Sequence, residues 1–294
     1  MTRAGGYGAL LDALRGVTWP GRRTARGGTA GTHRSRLRGL SPEFTEYRPY
    51  RQGDDPRRLD WKVLARTDRA YLRITSDRTT LGTWIVVDAS ASMAFPERTH
   101  EKWAQARRIA VGLAAVALAG GDPVGVLAPS DGARRLLAPR TRRGALGEVA
   151  RLLDGITPGG CAPLAPALAL TGRAARLAIV TDLLGDADEL LRVAREMVVA
   201  GADVHAVHLV AREELEPPST PILATDPEQP ALQRPLADPS RAAYRRAFDA
   251  FRRDVARAWR GAGATYTEVP SDEPTAHAIR RITALPVGVA AAGG

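Results

Sequence analysis

The sequence is poor in cysteine and lysine, and it has no long apolar run. Its single cysteine, Cys161, cannot form a disulfide within the chain, which favours a reducing compartment. No stretch reaches the roughly 18 uncharged apolar residues of a membrane-spanning helix, and no secretory apolar segment is found near the N-terminus. We therefore expect a cytoplasmic protein without a membrane span.

Several common catalytic motifs are missing as well. No Gly-x-x-x-x-Gly-Lys-Ser/Thr or Gly-x-Gly-x-x-Gly loop follows a strand-like segment, and no Gly-x-Ser-x-Gly motif occurs. His205 and His208 stand three residues apart on a predicted strand, so their side chains are expected on opposite faces and cannot share a metal ion. These absences argue against nucleotide binding and against a serine hydrolase.

Basic charge is concentrated near the N-terminus and is carried almost wholly by arginine. Of the 42 basic residues 40 are arginine, against 32 acidic residues, which gives a net charge of +10. Residues 1–80 hold 17 basic and 8 acidic residues, so nearly all of the excess lies there. Residues 1–38 are predicted to form a flexible basic arm with a short helix over 7–14, since 21–36 contain almost no large apolar side chain. Such an arm suits an anionic surface or is simply a solvated segment.

From residue 81 onward the sequence alternates between strand and helix patterns. Short uncharged runs rich in β-branched residues are typical of strands buried on both faces of a parallel sheet. The alternation predicts the α/β class, with a three-layer, open, mainly parallel sheet and helices on both of its faces. The strands are expected at 83–87, 177–181, 204–210 and 265–269, with a hairpin of 124–128 and 134–138, and the helices at 101–119, 145–153, 163–171, 189–200, 240–260 and 275–282.

The same patterns divide the chain into four segments. The basic arm at 1–38 is followed by a charged and aromatic segment, 39–80, which we expect to pack on the main domain as an irregular extension. The α/β domain occupies residues 81–285, and residues 286–294 form a flexible tail.

Polar side chains follow two of the predicted buried strands, where an open α/β sheet binds its ligands. These candidate ligands are Asp88, Ser90, Ser92 and Asp182. A third loop, residues 158–163, precedes a helix and contains Cys161. Carboxylate and hydroxyl oxygens suit a hard cation such as Mg²⁺ or Mn²⁺, whose remaining positions water or an acidic side chain of a partner would fill. The alternative is that Asp88 and the serines only cap the next helix and shape the turn.

The sequence Asp88-x-Ser90-x-Ser92 after one buried strand, with Asp182 after another, resembles the metal-ion-dependent adhesion site of von Willebrand factor A domains. The resemblance implies that family's Rossmann-like fold, a parallel-dominated sheet with flanking helices, for residues 81–285. The family usually has a threonine in the middle loop, where this sequence has Cys161. A thiol is a poor ligand for Mg²⁺, so the resemblance implies a degenerate site with weak metal affinity. The residue type alone favours a small buried cysteine at this position.

A second resemblance lies in the segment between residues 39 and 66. The motif runs Gly39-Leu-Ser-Pro-Glu43-Phe44, then Tyr47-Arg48-x-Tyr50, then Gly53-Asp54-Asp55-x-Arg57, and ends with Asp60-Trp61-x-x-x-Ala65-Arg66. It is similar to the signature of domain-of-unknown-function family fifty-eight, prokaryotic proteins that join this motif to a von Willebrand A domain. The resemblance extends over about residues 28–285. It implies a MoxR-type AAA ATPase as partner and a chaperone-like role in assembly or maturation.

The charged segment allows a structural and a functional interpretation. Residues 41–70 contain seven basic and six acidic side chains, so mutual ion pairs could pin the segment to the main domain, with aromatic side chains as anchors. Alternatively, the segment is a docking surface for a partner. The residues assigned to that surface are Arg48, Tyr50, Asp54, Asp55, Arg57, Asp60 and Trp61.

The residues favour a non-catalytic protein-interaction module whose metal site binds an acidic side chain of the partner. One alternative is binding of nucleic acid or another anionic surface through the arginine-rich N-terminus, although no base-reading motif or aromatic stacking platform accompanies it. The other is a metal-dependent phosphohydrolase that uses Asp88 as its nucleophile.

Overall fold

The structure is a computed structural model that describes residues 6–21, 30–34, 44–51, 59–75, 78–79, 81–130, 133–161, 163–172, 174–220, 222–225, 231 and 233–284. The chain divides into two compact units, one made of residues 1–22 and 82–294 and the other of residues 23–81. The predicted tail at 286–294 and residues 22–29 of the predicted arm lie outside the described residues.

In the larger unit the strands of the described residues include all six that were expected and add two, Ile222–Thr225 and Gln233–Leu236, and the smaller unit adds strands as well. They are β1 (Ala30–Arg34), β2 (Phe44–Pro49), β3 (Tyr71–Thr75), β4 (Arg78–Thr79), β5 (Thr83–Val87), β6 (Val124–Ser130), β7 (Ala133–Arg140), β8 (Arg176–Thr181), β9 (Asp203–Val210), β10 (Ile222–Thr225), β11 (Gln233–Leu236) and β12 (Thr265–Pro270). Six of them form one sheet in the order β12-β9-β8-β5-β6-β7. All neighbours in it are parallel except β6 and β7, which form the predicted hairpin.

The described residues include all seven helices predicted from the sequence and two short ones that were not predicted, Trp61–Thr67 and Arg212–Leu215. They are α1 (Gly8–Ala13), α2 (Trp61–Thr67), α3 (Glu101–Ala119), α4 (Ala145–Asp154), α5 (Leu164–Leu168), α6 (Ala187–Val199), α7 (Arg212–Leu215), α8 (Asp238–Gly261) and α9 (Thr275–Thr283). Short 3₁₀ turns occupy Ala91–Ala94 and Ala169–Thr171, so the helix expected at 163–171 is shorter than predicted.

Alternate residues of the central strand enter two separate cores. Ile85 and Val87 of β5 pack in a core shared with α3, α4 and α9, whereas Trp84 and Val86 pack in a core shared with α5, α6 and α8. This is the consequence of the two-residue period of a strand that is buried on both faces. The predicted three-layer α/β fold class is confirmed.

The N-terminal residues of the larger unit differ from the expected flexible arm. Tyr7, Leu14 and Trp19 are buried in the core that contains α3. Arg176 at the start of β8 donates to the carbonyl oxygen of Trp19 at 2.6 Å, and its guanidinium lies 4.4 Å from the centre of the indole ring. The same side chain forms a buried ion pair with Asp122 at 2.9 Å. Apolar burial and this arginine therefore hold residues 6–21 against the sheet and helices of the larger unit. The sequence does not show this contact, because Trp19 and Arg176 are about 160 residues apart.

The smaller unit contains more strand than the irregular extension expected there. Within it, β1 pairs with β4 and β2 pairs with β3, both antiparallel. Asp60 caps α2, since its carboxylate accepts hydrogen bonds from the backbone N–H groups of Lys62 and Val63. Phe44–Pro49 lacks a regular alternation of apolar and polar residues, and its pairing with β3 shifts register between Phe44 and Glu46, so the sequence alone does not indicate this strand.

Candidate functional site

Two neighbouring strands of the sheet deliver the candidate carboxylates to one edge. β5 and β8 pair in parallel, with Val87 opposite Val180. Asp88 and Asp182 each follow their strand by one residue, and the backbone N–H of Asp88 still donates to the carbonyl oxygen of Val180 at 2.9 Å. The two loops therefore begin side by side, as the strand-end argument predicts.

The loop after β5 folds back on its own aspartate. Oδ1 of Asp88 accepts a hydrogen bond from the backbone N–H of Ser90 at 2.9 Å, and Oδ2 accepts one from the hydroxyl of Thr181 at 2.7 Å. The hydroxyl oxygens of Ser90 and Ser92 lie 3.0 Å apart, and all three side chains are buried. The predicted spacing of two and four residues thus brings both hydroxyls together next to the carboxylate.

The middle loop is tied to the same place by backbone hydrogen bonds. Gly159 donates to the carbonyl oxygen of Ala89, and Ala91 donates to that of Gly160, both at 2.9 Å. Cys161 then lines a small cavity of about 60 Å³ together with Asp88 and Ser90. Cys161 is exposed, contrary to the buried position that its residue type favours, because the loop turns its side chain towards this opening.

Asp182, the fourth candidate ligand, is engaged elsewhere. Its Oδ2 accepts a hydrogen bond from the ammonium group of Lys102 at 2.6 Å, and its Oδ1 accepts one from the backbone N–H of Leu184 at 3.3 Å. Lys102 also donates to Oε1 of Glu214 at 2.9 Å and is completely buried. Asp182 and Ser92 do not contribute to the lining of the cavity at Cys161.

Burial and neighbouring charges shift the pKa values of three groups at this edge of the sheet. Burial, followed by repulsion from Asp182, raises the pKa of Asp88 to about 6, although hydrogen bonds from Thr181 and Ser90 oppose the change. Burial raises the pKa of the Glu214 carboxyl as well. For Lys102 burial acts to lower the pKa, but attraction to the two carboxylates outweighs it and the pKa is raised. Lys102 thus pairs with Asp182 and Glu214, and the three carboxylates of Asp88, Asp182 and Glu214 outnumber this one ammonium group.

The donor set fits a hard divalent cation, held by hydroxyls and one carboxylate. Within the described residues no group of three or more His, Cys, Asp or Glu side chains is placed to hold a metal ion. A cation here would therefore depend on Ser90 and Ser92, with Asp88 supplying charge next to a cavity that has room for water. The cysteine sulfur adds little affinity for such an ion.

The residues assigned to a docking surface are only partly described. Asp54, Asp55 and Arg57 lie outside the described residues, and Arg48 is described only as a backbone position of β2. The side chain of Asp60 serves as the cap of α2, whereas the indole of Trp61 is 64% exposed. The N–H of Tyr50 donates to the carbonyl oxygen of Ala70. Docking through this segment stays a prediction.

Topology and site together define the class of protein. Among the described strands of the six-stranded sheet, the antiparallel strand β7 lies at one edge. The Asp88 loop follows β5, a central parallel strand. These features define an α/β protein with a von Willebrand factor A-like domain.

Within this class, the chain belongs to the family described as Protein of unknown function DUF58, whose family model matches residues 46–257. Uncharacterized protein Rv1480 of Mycobacterium tuberculosis H37Rv is 30% identical over 273 residues, which cover 90% of this chain and 85% of that protein. Uncharacterized protein Mb1516 of Mycobacterium bovis matches with the same values. The family membership expected from the sequence is confirmed.

Two solved structures are more distantly similar. The conserved hypothetical protein BatB from Bacteroides thetaiotaomicron is 16% identical with a TM-score of 0.45, over 68% of this chain and 95% of that one. The SpRpn10 VWA domain is 13% identical with a TM-score of 0.39, over 68% of this chain and 94% of that one. At these values neither says what this chain does. Among the described helices, none has both the length and the apolar character needed to cross a bilayer.

Proposed function

We propose that the chain is a non-catalytic protein-interaction module that binds an acidic side chain of its partner through a divalent cation at the Asp88 loop. The observation that carries the proposal is the pair of hydroxyls 3.0 Å apart, Ser90 and Ser92, beside a buried carboxylate. The raised pKa of Asp88 supports it, because a buried carboxylate with uncompensated negative charge nearby favours an added cation. Mg²⁺ or Mn²⁺ suits these oxygen ligands, and the cation would polarise and neutralise an incoming carboxylate.

The hydrogen bonds at the edge support binding rather than catalysis. Both carboxylate oxygens of Asp88 accept hydrogen bonds within the loop region, which does not suit a nucleophile. Among the described residues, no histidine hydrogen-bonds either serine. His208 instead pairs with the hydroxyl of Tyr266 at 2.6 Å, and burial lowers its pKa to about 4. In the described part of the chain, no histidine is therefore placed to activate Ser90 as a base.

The partner that the family resemblance implies is a MoxR-type AAA ATPase, and we propose it as the bearer of the acidic side chain. In this role the module would select clients or hold the ATPase during assembly or maturation of other proteins. The proposed location is the cytoplasm, which the single cysteine favours. No specific observation on the described residues favours the nucleic-acid or phosphohydrolase alternatives.

Capture of the purified ATPase by the immobilised chain tests the proposal. We expect capture in Mg²⁺ and its loss in a chelator and with Asp88→Asn, because both remove the charge that binds the partner. Ser271→Ala is the matched control, since Ser271 is buried directly after β12, on the same edge but three strands away from β5. Capture that persists both in chelator and with Asp88→Asn would remove the cation from the mechanism.

A further inference from the structure

A buried lysine bridges two carboxylates next to the proposed cation site. Lys102 is the second residue of α3 and has no exposed surface. Its ammonium group lies 2.6 Å from Oδ2 of Asp182 and 2.9 Å from Oε1 of Glu214, and 5.9 Å from the ring centre of Phe95. In a chain with 40 arginines and two lysines, this position carries the smaller, more compact cation.

The bridge joins three separate chain segments at the edge of the sheet. Asp182 follows β8 and Glu214 lies in α7, which follows β9. The second oxygen of Glu214 accepts a hydrogen bond from the backbone N–H of Ala211 at 2.7 Å, so its carboxylate is held at both oxygens. A buried charged group without a partner of opposite charge strongly destabilises a fold. Each of these three groups has such a partner.

The bridge also determines which oxygens are open to an added cation. Oδ2 of Asp182 accepts from a charged ammonium group, whereas both oxygens of Asp88 accept only from the neutral donors Ser90 N–H and Thr181 hydroxyl. Because an ammonium group and a divalent cation compete for the same carboxylate, either one excludes the other from Asp182. The hydroxyl of Ser90 pairs with that of Ser92 and stays next to the cavity.

We infer that Lys102 is a built-in cation that withholds Asp182 from the divalent-cation site and leaves Asp88, Ser90 and Ser92 as the chain's own ligands. This inference rests on the proposed function, since it concerns the same cation. With one carboxylate instead of two, the chain neutralises less of the charge of a divalent cation. The cation then binds the free chain weakly and retains positive charge that a carboxylate of the partner can neutralise. Lys102 is therefore a positioning residue, which acts through Asp182.

Titration with Mn²⁺, followed by the electron paramagnetic resonance of the free ion, tests the inference without a partner. We expect Lys102→Met to bind Mn²⁺ about tenfold or more tightly than the wild type, because the released Asp182 adds a full charge. Adding Asp182→Asn to that variant is expected to return the affinity to about the wild-type value. Lys62→Met is the control, since Lys62 is the chain's other lysine and is exposed.

The outcomes separate this inference from the proposed function. Equal affinity of the wild type and Lys102→Met overturns the inference, while loss of that binding in Asp88→Asn leaves the proposed function standing. Absence of Mn²⁺ binding by both chains also overturns it, as removal of the competitor must create a site. Tight binding by Lys102→Met alone, with none detected for the free wild type, supports the inference, and the proposed function is then decided by capture of the ATPase in Mg²⁺ and in chelator. A gain that survives Asp182→Asn overturns the positioning role.

Two further measurements cover a variant that fails to fold. Lys102→Gln keeps a hydrogen-bond donor for Asp182 without the charge, and it replaces the methionine variant if circular dichroism shows the latter to be unfolded. Reductive methylation with ¹³C-formaldehyde tests the bridge in the wild type. We expect the amine of Lys62 to be labelled and that of Lys102 to be protected, whereas equal labelling of both in the folded protein overturns the inference.

Discussion

Asp88→Asn is expected to stabilise the cation-free protein near neutral pH while it removes partner binding. Burial and repulsion from Asp182 raise the pKa of Asp88 from its ordinary value of 3.8 to about 6. A carboxyl group with a raised pKa keeps its proton in the folded chain after the unfolded chain has lost it. The free energy of unfolding therefore falls as pH rises from about 4 to about 6, and the loss is complete above the folded pKa.

The size of the effect follows from that difference in pKa. A change from 3.8 to about 6 corresponds to about 3 kcal/mol at pH 7, since each unit equals about 1.4 kcal/mol. Asparagine keeps the acceptor for the N–H of Ser90, but it disturbs the hydrogen bond that Thr181 donates to Oδ2, which costs about 1 kcal/mol. The expected net gain in the free energy of unfolding at pH 7 is about 2 kcal/mol.

Urea unfolding in the presence of a chelator measures this gain, at about pH 7 and at about pH 4. The advantage of Asp88→Asn should vanish at the lower pH, where the wild-type carboxyl is protonated in the folded chain. Asp122→Asn is the matched control, because Asp122 is equally buried but pairs with Arg176 at 2.9 Å. That variant should lose about 3 kcal/mol at pH 7, since it removes the carboxylate that contacts a buried guanidinium. An Asp88→Asn protein that is no more stable than the wild type at pH 7 would refute the reasoning.

Three other predictions concern single side chains. Cys161→Thr should raise the affinity for Mg²⁺ or Mn²⁺ by supplying a hydroxyl at the cavity, and calorimetry showing no gain would contradict that position for a ligand. Gly112→Ala should destabilise the fold by about 1–3 kcal/mol, because a Cβ there would lie 2.2 Å from Cδ1 of Ile279. Gly147→Ala in α4 is its control, since a Cβ there meets no atom closer than 3.5 Å and should stabilise the fold by about 1 kcal/mol. Thermal melts measure both changes. Trp61→Ala should weaken capture of the ATPase without lowering the melting temperature, since the indole is 64% exposed; an unchanged capture would contradict docking there.

Features that depend on neighbouring residues could be predicted from the sequence. Asp88, Ser90 and Ser92 lie on one short loop, so their spacing alone brings the hydroxyls together at 3.0 Å. The helix expected at 101–119 has those bounds in α3, because the segment is rich in alanine and other helix-favouring residues and contains no proline. Strand ends could also be placed on one edge of the sheet, since parallel pairing follows from the alternation of strands and helices.

Features that depend on distant residues could not be predicted in the same way. Lys102 is 80 residues from Asp182 and 112 from Glu214, and no local pattern shows that α3 turns its second residue towards both. The only sequence signal is a lysine in a helix whose other basic residues are arginines. The burial of Trp19 is even harder to predict, since its carbonyl oxygen and ring contact Arg176, which is 157 residues away in the sequence.

Two departures from the adhesion-site pattern act in the same direction. Under the proposed function, Cys161 offers sulfur where the family resemblance implies a hydroxyl ligand, and the bridge to Lys102 engages the carboxylate of Asp182. Both reduce what the chain itself offers to a divalent cation, so a partner carboxylate contributes a larger share of the binding. Cation and partner then raise each other's affinity by the same factor, as linkage requires. Under the proposed function, such a module binds its cation mainly when the partner is present, and the weak site of the free chain becomes the source of its selectivity.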